Sequence, residues 1–160
     1  MLNHHEDLSS YKYGMTLTIP EVKNIGWIDK NQQFNMGDVS PDFVQKLKEL
    51  IFNSDEGPCN ILVNELRGSY DCPVCEKHEI KISNENDYFI LGSSELWVPD
   101  NRSEEHYFAT FGLIIHYIED HQYQPPQDFI EAVLALDINT KFNGQDIQDK
   151  LVRKNAGRDT

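Results

Sequence analysis

Residues 113–134 read LIIHYIEDHQYQPPQDFIEAVL, and the fold turns on them. Leu113, Ile114 and Ile118 recur at helical spacing, and Pro125 and Pro126 interrupt the run. A second stripe follows at Phe129, Ile130, Val133 and Leu134. Proline cannot continue a helix but suits the opening turn of a new one. The stretch therefore predicts two C-terminal helices joined at Pro125-Pro126, the first over about Thr110–His121 with Thr110 as its cap. The first helix carries His116 and ends on His121.

Upstream, SPDFVQKLKELIFNS (residues 40–54) predicts a longer amphipathic helix. Ser40 can accept from the exposed N–H groups, Pro41 fits the first helical position, and Asp42 suits the positive end of the dipole. Phe43, Val44, Leu47, Leu50 and Ile51 share one face, and Gly57-Pro58 ends the element. Between these helices, HEIKIS, DYFILG, SELWVP and EEHYFAT read as short strands separated by NEN and GSS turns, forming a small antiparallel sheet. In SELWVP, alternation places Leu96 and Val98 inward and Trp97 on the open face, where it is a candidate partner contact. The first thirty residues read as irregular or weakly extended, anchored by Tyr11, Tyr13, Ile25, Trp27 and Ile28. Beyond Asn143 the chain is polar, with Ile147, Leu151 and Val152 enough for a short helix. These elements predict one α+β domain over residues 1–160, with an ordered core at about 8–142 and a polar tail at 143–160.

The totals narrow the function classes. A net charge of −13, from 27 acidic against 14 basic residues, repels polyphosphate and argues against nucleic-acid binding. The longest apolar stretch, residues 111–118, is broken by Gly112 and His116 and is too short to span a bilayer. No basic-then-apolar leader opens the chain, and three cysteines do not make a disulfide framework. A reducing cytoplasm is the expected compartment. No Gly-x-Gly-x-x-Gly, phosphate loop, Gly-x-Ser-x-Gly elbow or His-Glu-x-x-His is present. The adjacent pairs Glu104/Glu105 and Glu119/Asp120 read as solvated surface, and Arg67-Gly68 as a turn.

One constellation remains. In YDCPVCEKH (residues 70–78), Cys72 and Cys75 are separated by two residues, a gap that aims both sulfurs at one point. Added to His116 and His121, they complete a tetrahedral Cys2His2 zinc set. The histidines are five positions apart, about 140° around an ideal helix at roughly 100° per residue. They converge only if the final turn tightens or unwinds. Other readings stand beside this one: two reduced thiols, a redox pair, a core His116, or a His121 favoured by the helix dipole. His78 and Cys59 are possible substitutes in the ligand set, although Cys59 reads more simply as a buried thiol. His106 reads as exposed, and His4 and His5 as part of a frayed end. Four protein ligands would close the site, which favours structural zinc.

The chain also resembles a family of bacterial proteins classed as a domain of unknown function. HEDLSSYKYG, NIGWIDKNQQFNMGDVSPDFVQKLKEL, LRGSYDCPVC, LGSSELWVP and HYFATFGLIIHYIEDHQYQPPQDFIEAVL carry the resemblance over residues 5–134. Its most specific pieces are Gly-Trp-Ile-Asp, Cys-x-x-Cys and His-Tyr-Ile-x-x-His-x-Tyr-x-Pro-Pro. The chain departs from the pattern at Thr110, where proline is expected, and at Gln33, where histidine is expected. The resemblance implies one module with its cysteines and histidines in the pattern, and no activity. The leading expectation is a non-enzymatic interaction module held by structural zinc, an immunity or regulatory partner of another protein. The alternative is a small zinc-dependent enzyme, with three of Cys72, Cys75, His78, His116 and His121 as ligands and water as the fourth. Neither reading fixes an oligomeric state.

Overall fold

The computed structural model describes residues 4–158. In chain order the elements are β1 (Ser10–Tyr13), β2 (Leu17–Ile25), α1 (Pro41–Asn53), β3 (Cys59–Asn60) and β4 (Leu62–Val63). Then come β5 (Lys81–Ser83), β6 (Tyr88–Ile90), β7 (Glu95–Pro99) and β8 (Tyr107–Phe111). The chain closes with α2 (Ile114–His121), α3 (Gln127–Ala135), β9 (Phe142–Asn143) and α4 (Gly144–Arg158). The fold is α+β, as the patterning predicts. Its main sheet has the strand order β1-β2-β8-β7-β4.

That sheet is mixed, not antiparallel throughout: β2 runs parallel to β8, with Val22 opposite Tyr107 and Ile25 opposite Thr110. The N-terminal region, expected to be irregular or weakly extended, is thus two regular strands. Its alternation is disguised by a bulge. Opposite β1 the register jumps from Lys23 to Ile19, so the apolar phase shifts between Ile19 and Val22. Pro20, which has no N–H to donate, falls inside the jump. The chain is also tied down from His5 onward. His5 bridges to Trp27, and its ring meets the indole edge-on at 5.5 Å, so this end is not frayed there.

One sheet face carries Leu96, Val98 and Phe108 into a core shared with α1, α2 and α3. Helix α1 begins as the sequence predicts, with the Asp42 N–H donating to Ser40 Oγ at 3.2 Å. It buries Phe43, Leu47, Leu50 and Ile51, each worth about 1.5–3 kcal/mol relative to exposure. The strand β8 runs through Phe111, so Thr110 lies in the sheet and does not cap α2. Its buried Oγ1 has no hydrogen-bond partner, and Leu113 stands at the N-cap instead. Strands β5 and β6 pair with each other in a separate two-stranded sheet.

The opposite face is covered as well. Trp97, Ala109, Val22, Ile19 and Tyr11 pack there with Leu151 of α4. Trp97 is therefore fully buried (0 % exposed) and is not a surface contact. Helix α4 spans 15 residues and docks largely through polar groups, which hides it from an apolar-stripe reading. Gln148 Nε2 donates to Tyr11 Oη at 2.9 Å, Asn155 Nδ2 donates to Glu21 Oε1 at 3.1 Å, and Lys154 pairs with Glu21 at 2.9 Å. At its start Gly144 leaves no room for a side chain: a Cβ there would lie 2.6 Å from Val63 Cγ2.

Beneath α4 sits a half-buried carboxylate. Glu95 accepts from Tyr11 Oη (2.9 Å), Asn64 Nδ2 (2.7 Å) and Trp97 Nε1 (3.1 Å). Burial pushes its carboxyl above the ordinary value of 4.5, and these donors only partly offset that. A raised folded-state value means that Glu95 contributes most stability below pH 4.5 and loses it as pH rises through the folded value. The stability of wild type relative to Glu95→Gln should therefore increase as pH is lowered from neutral toward 4.5. Denaturant unfolding of both proteins across that range measures it; a difference independent of pH would contradict this assignment.

Candidate metal centre

The site forms where β8 hands over to α2. Tyr70 sets the approach of the knuckle: its N–H donates to Gly92 O at 3.0 Å, and its ring meets Phe111 edge-on at 5.6 Å. Gly92 is required for that contact. It adopts φ +86, and a Cβ there would lie 2.9 Å from Tyr70 O. After Tyr70 the chain turns sharply. The Glu76 N–H donates to Cys72 O at 2.8 Å, the Cys72 N–H to Lys77 O at 3.1 Å, and the Val74 N–H to Cys72 Sγ at 3.4 Å. Glu76 takes the left-handed conformation (φ 62) that closes the turn.

Helix α2 meets this knuckle with its C-terminal end. The wide angle between His116 and His121 is reduced because the last turn loosens. The Gln122 N–H reaches Tyr117 O, five residues back instead of four, and Gln122 itself turns left-handed at φ 56. A wider turn lowers the angular step per residue and brings His121 back toward His116. Their rings lie 5.0 Å apart, nearly perpendicular.

The result is a four-atom cluster. Cys72 Sγ is 3.5 Å from His121 Nε2, and Cys75 Sγ is 3.4 Å from His116 Nε2. One ligand atom from each of Cys72, Cys75, His116 and His121 lies within 4.8 Å of the other three. A tetrahedral ion with metal–sulfur bonds of about 2.3 Å and metal–nitrogen bonds of about 2.05 Å has sulfur–nitrogen edges of roughly 3.5–3.6 Å. The Cys72–His121 and Cys75–His116 edges fit that size, and the cluster is capable of coordinating a metal ion.

Burial is uneven around it. Cys72 and His116 are buried, His121 is half-buried, and Cys75 faces solvent. Burial pushes the Cys72 thiol up and the His116 imidazole down. A neutral imidazole keeps its lone pair for a metal. His116 Nδ1 lies 3.2 Å from Asp120 Oδ2, one helical turn on. That contact assigns the proton to Nδ1 and leaves Nε2 facing the sulfurs. Beside Glu119 in the sequence Asp120 looks like solvated surface, and its four-residue spacing from His116 is the signal that marks it.

The remaining candidates lie elsewhere. His78 is exposed and pairs with Asp71 at 2.8 Å, which pushes its imidazole above 6.5. Cys59 is a buried thiol in β3, outside the cluster, and burial raises it too. His106 is exposed, with Nδ1 2.9 Å from Glu104 O.

Residues 3–134 match a family model described as Domain of unknown function (DUF7919). The chain belongs to that family. All four cluster residues and Asp120 lie inside the DUF7919 match, whereas α4 lies beyond it. Neither a curated protein nor a solved structure matches the chain. No helix among the described residues is long and apolar enough to cross a membrane.

Proposed function

We propose that Cys72, Cys75, His116 and His121 hold one zinc ion, and that the ion is structural in a non-enzymatic protein-interaction module. The observation that carries this reading is the closed donor set: two sulfurs and two imidazole nitrogens within 4.8 Å. Four protein ligands leave a tetrahedral ion no position for water or substrate. Two thiolates also balance the charge of a divalent cation. The ion would fasten the C-terminal end of α2 to the Cys72–Cys75 knuckle, joining segments more than forty positions apart in the chain. Its free energy of binding then becomes free energy of folding. The partner proposed is another protein, in an immunity or regulatory pairing, because the net charge of −13 disfavours nucleic acid. Free thiolate ligands suit a reducing compartment, and the cytoplasm is the one proposed.

A second reading draws on the exposure of Cys75. If Cys72, His116 and His121 alone held the metal, water would take the fourth position, and the site could act hydrolytically. Purification without chelators, metal analysis and a chelator titration monitored by circular dichroism separate the two readings. The structural reading expects one zinc per chain, lost together with folded signal. Zinc that leaves without unfolding, or no zinc at all, would overturn it.

A further inference from the structure

Beside the knuckle, a cleft of about 800 Å³ opens between residues 66–71 and β6. Three independent features mark it. The first is a strand edge. In the β5–β6 ribbon, the Asn84 N–H donates to Asp87 O and the Leu91 N–H to Ile80 O. Counting inward, the Lys81–Ile90 and Ser83–Tyr88 pairs fall at positions that are not hydrogen-bonded. The backbone groups of Tyr88 and Ile90 therefore turn away from β5, on the side where no further strand pairs. The Tyr88 N–H donates to Asp87 Oδ1 at 2.8 Å and Ile90 O accepts from Ser93 Oγ at 3.0 Å, which leaves Tyr88 O and the Ile90 N–H for an added strand.

The second feature is apolar exposure. Tyr88 is 57 % exposed and Leu66 is 46 % exposed, and both line this cleft. The third is charge. Asp71, Glu79 and Asp87 line it together with Arg67, and Lys81 Nζ lies over the Tyr88 ring at 5.0 Å from its centroid, on a chain of net charge −13. His78, also on the wall, is engaged by Asp71.

We propose that this cleft takes an extended, lysine- or arginine-bearing segment of a partner protein, added as a strand along β6. Main-chain hydrogen bonds to Tyr88 O and from the Ile90 N–H supply affinity, and alternate side chains supply selectivity. Apolar side chains of the segment rest on Leu66 and Tyr88, while its cations meet Glu79 and Asp87. The inference rests on the interaction-module reading and names its surface and partner chemistry. Because Asp71 directly precedes Cys72, the metal centre also holds one wall of the cleft in place.

The test uses the full, zinc-loaded protein and a short fluorescent peptide of alternating lysine and leucine, with an alternating glutamate and leucine peptide as counter-probe. Fluorescence anisotropy should show saturable, salt-sensitive binding of the basic peptide only. Tyr88→Ala and the double variant Glu79→Gln/Asp87→Asn should each weaken it by about tenfold or more. Both variants alter exposed side chains, so zinc content and unfolding midpoint should stay at wild-type values. Equal binding by all three proteins, equal binding of the acidic peptide, or no saturable binding overturns the proposal. If the zinc is retained in that outcome, the structural-metal reading stands without it; absence of zinc from the purified protein fails that reading separately.

Discussion

Replacing Cys72 with serine should abolish stoichiometric zinc and lower the unfolding midpoint by roughly 10 °C. A serine hydroxyl is not a soft anionic ligand, and Cys72 is buried at the base of the turn that forms the knuckle. Without its sulfur, three donors remain and the lock on the end of α2 opens. A ligand bound only by the native state stabilises it by about 4 kcal/mol when its free concentration is about a thousand times its dissociation constant. Losing zinc removes that amount. Cys75→Ser should lose zinc equally, although its side chain is exposed and contributes little packing. The control is His78→Ala, which should keep full zinc and an unchanged midpoint, because His78 faces solvent beside Asp71. Metal analysis with calorimetry in zinc-buffered solution measures all three. Zinc lost from His78→Ala, or kept by Cys72→Ser, would reassign the ligands.

Trp97→Ala is expected to cost about 4 kcal/mol, the range for deleting a large aromatic from a packed core. The indole is fully buried, meets Tyr11 edge-on at 5.2 Å and donates to Glu95 at 3.1 Å. Its removal leaves a cavity between the sheet and α4 and takes one donor from the half-buried Glu95 carboxylate. Surface aromatics seldom matter this much to folding. Equilibrium denaturation gives the value. A change below about 1 kcal/mol would mean that α4 does not cover this face in solution.

Trp97 also marks where the sequence is legible and where it is not. Alternation located β7 correctly, but it cannot tell a solvent face from one covered by a distant element. The covering helix α4 is recruited through Gln148, Asn155 and Lys154 rather than through a wide apolar stripe. Helix α1 was legible because Ser40, Pro41 and its buried face are local signals. The parallel pairing of Val22 with Tyr107 was not, since nothing local announces a partner so far along the chain. In β2 the bulge at Pro20 masked the strand by shifting its apolar phase. Thr110 looked like a cap because small hydroxyl residues serve there, yet β8 extends past it. The four cluster residues were legible as a set from type and spacing. Their convergence was not, because it depends on the loosened last turn of α2. Asp120 was missed because adjacent acidic residues usually face water.

In the proposed centre, two cysteines and two histidines close around one zinc ion. X-ray absorption at the zinc edge of the purified protein tests it most directly. A Cys2His2 zinc gives two sulfur scatterers at about 2.3 Å and two imidazole nitrogens at about 2.0–2.1 Å, with no bound water. A first shell with one sulfur and an oxygen would contradict it and place the protein with the open-site zinc enzymes.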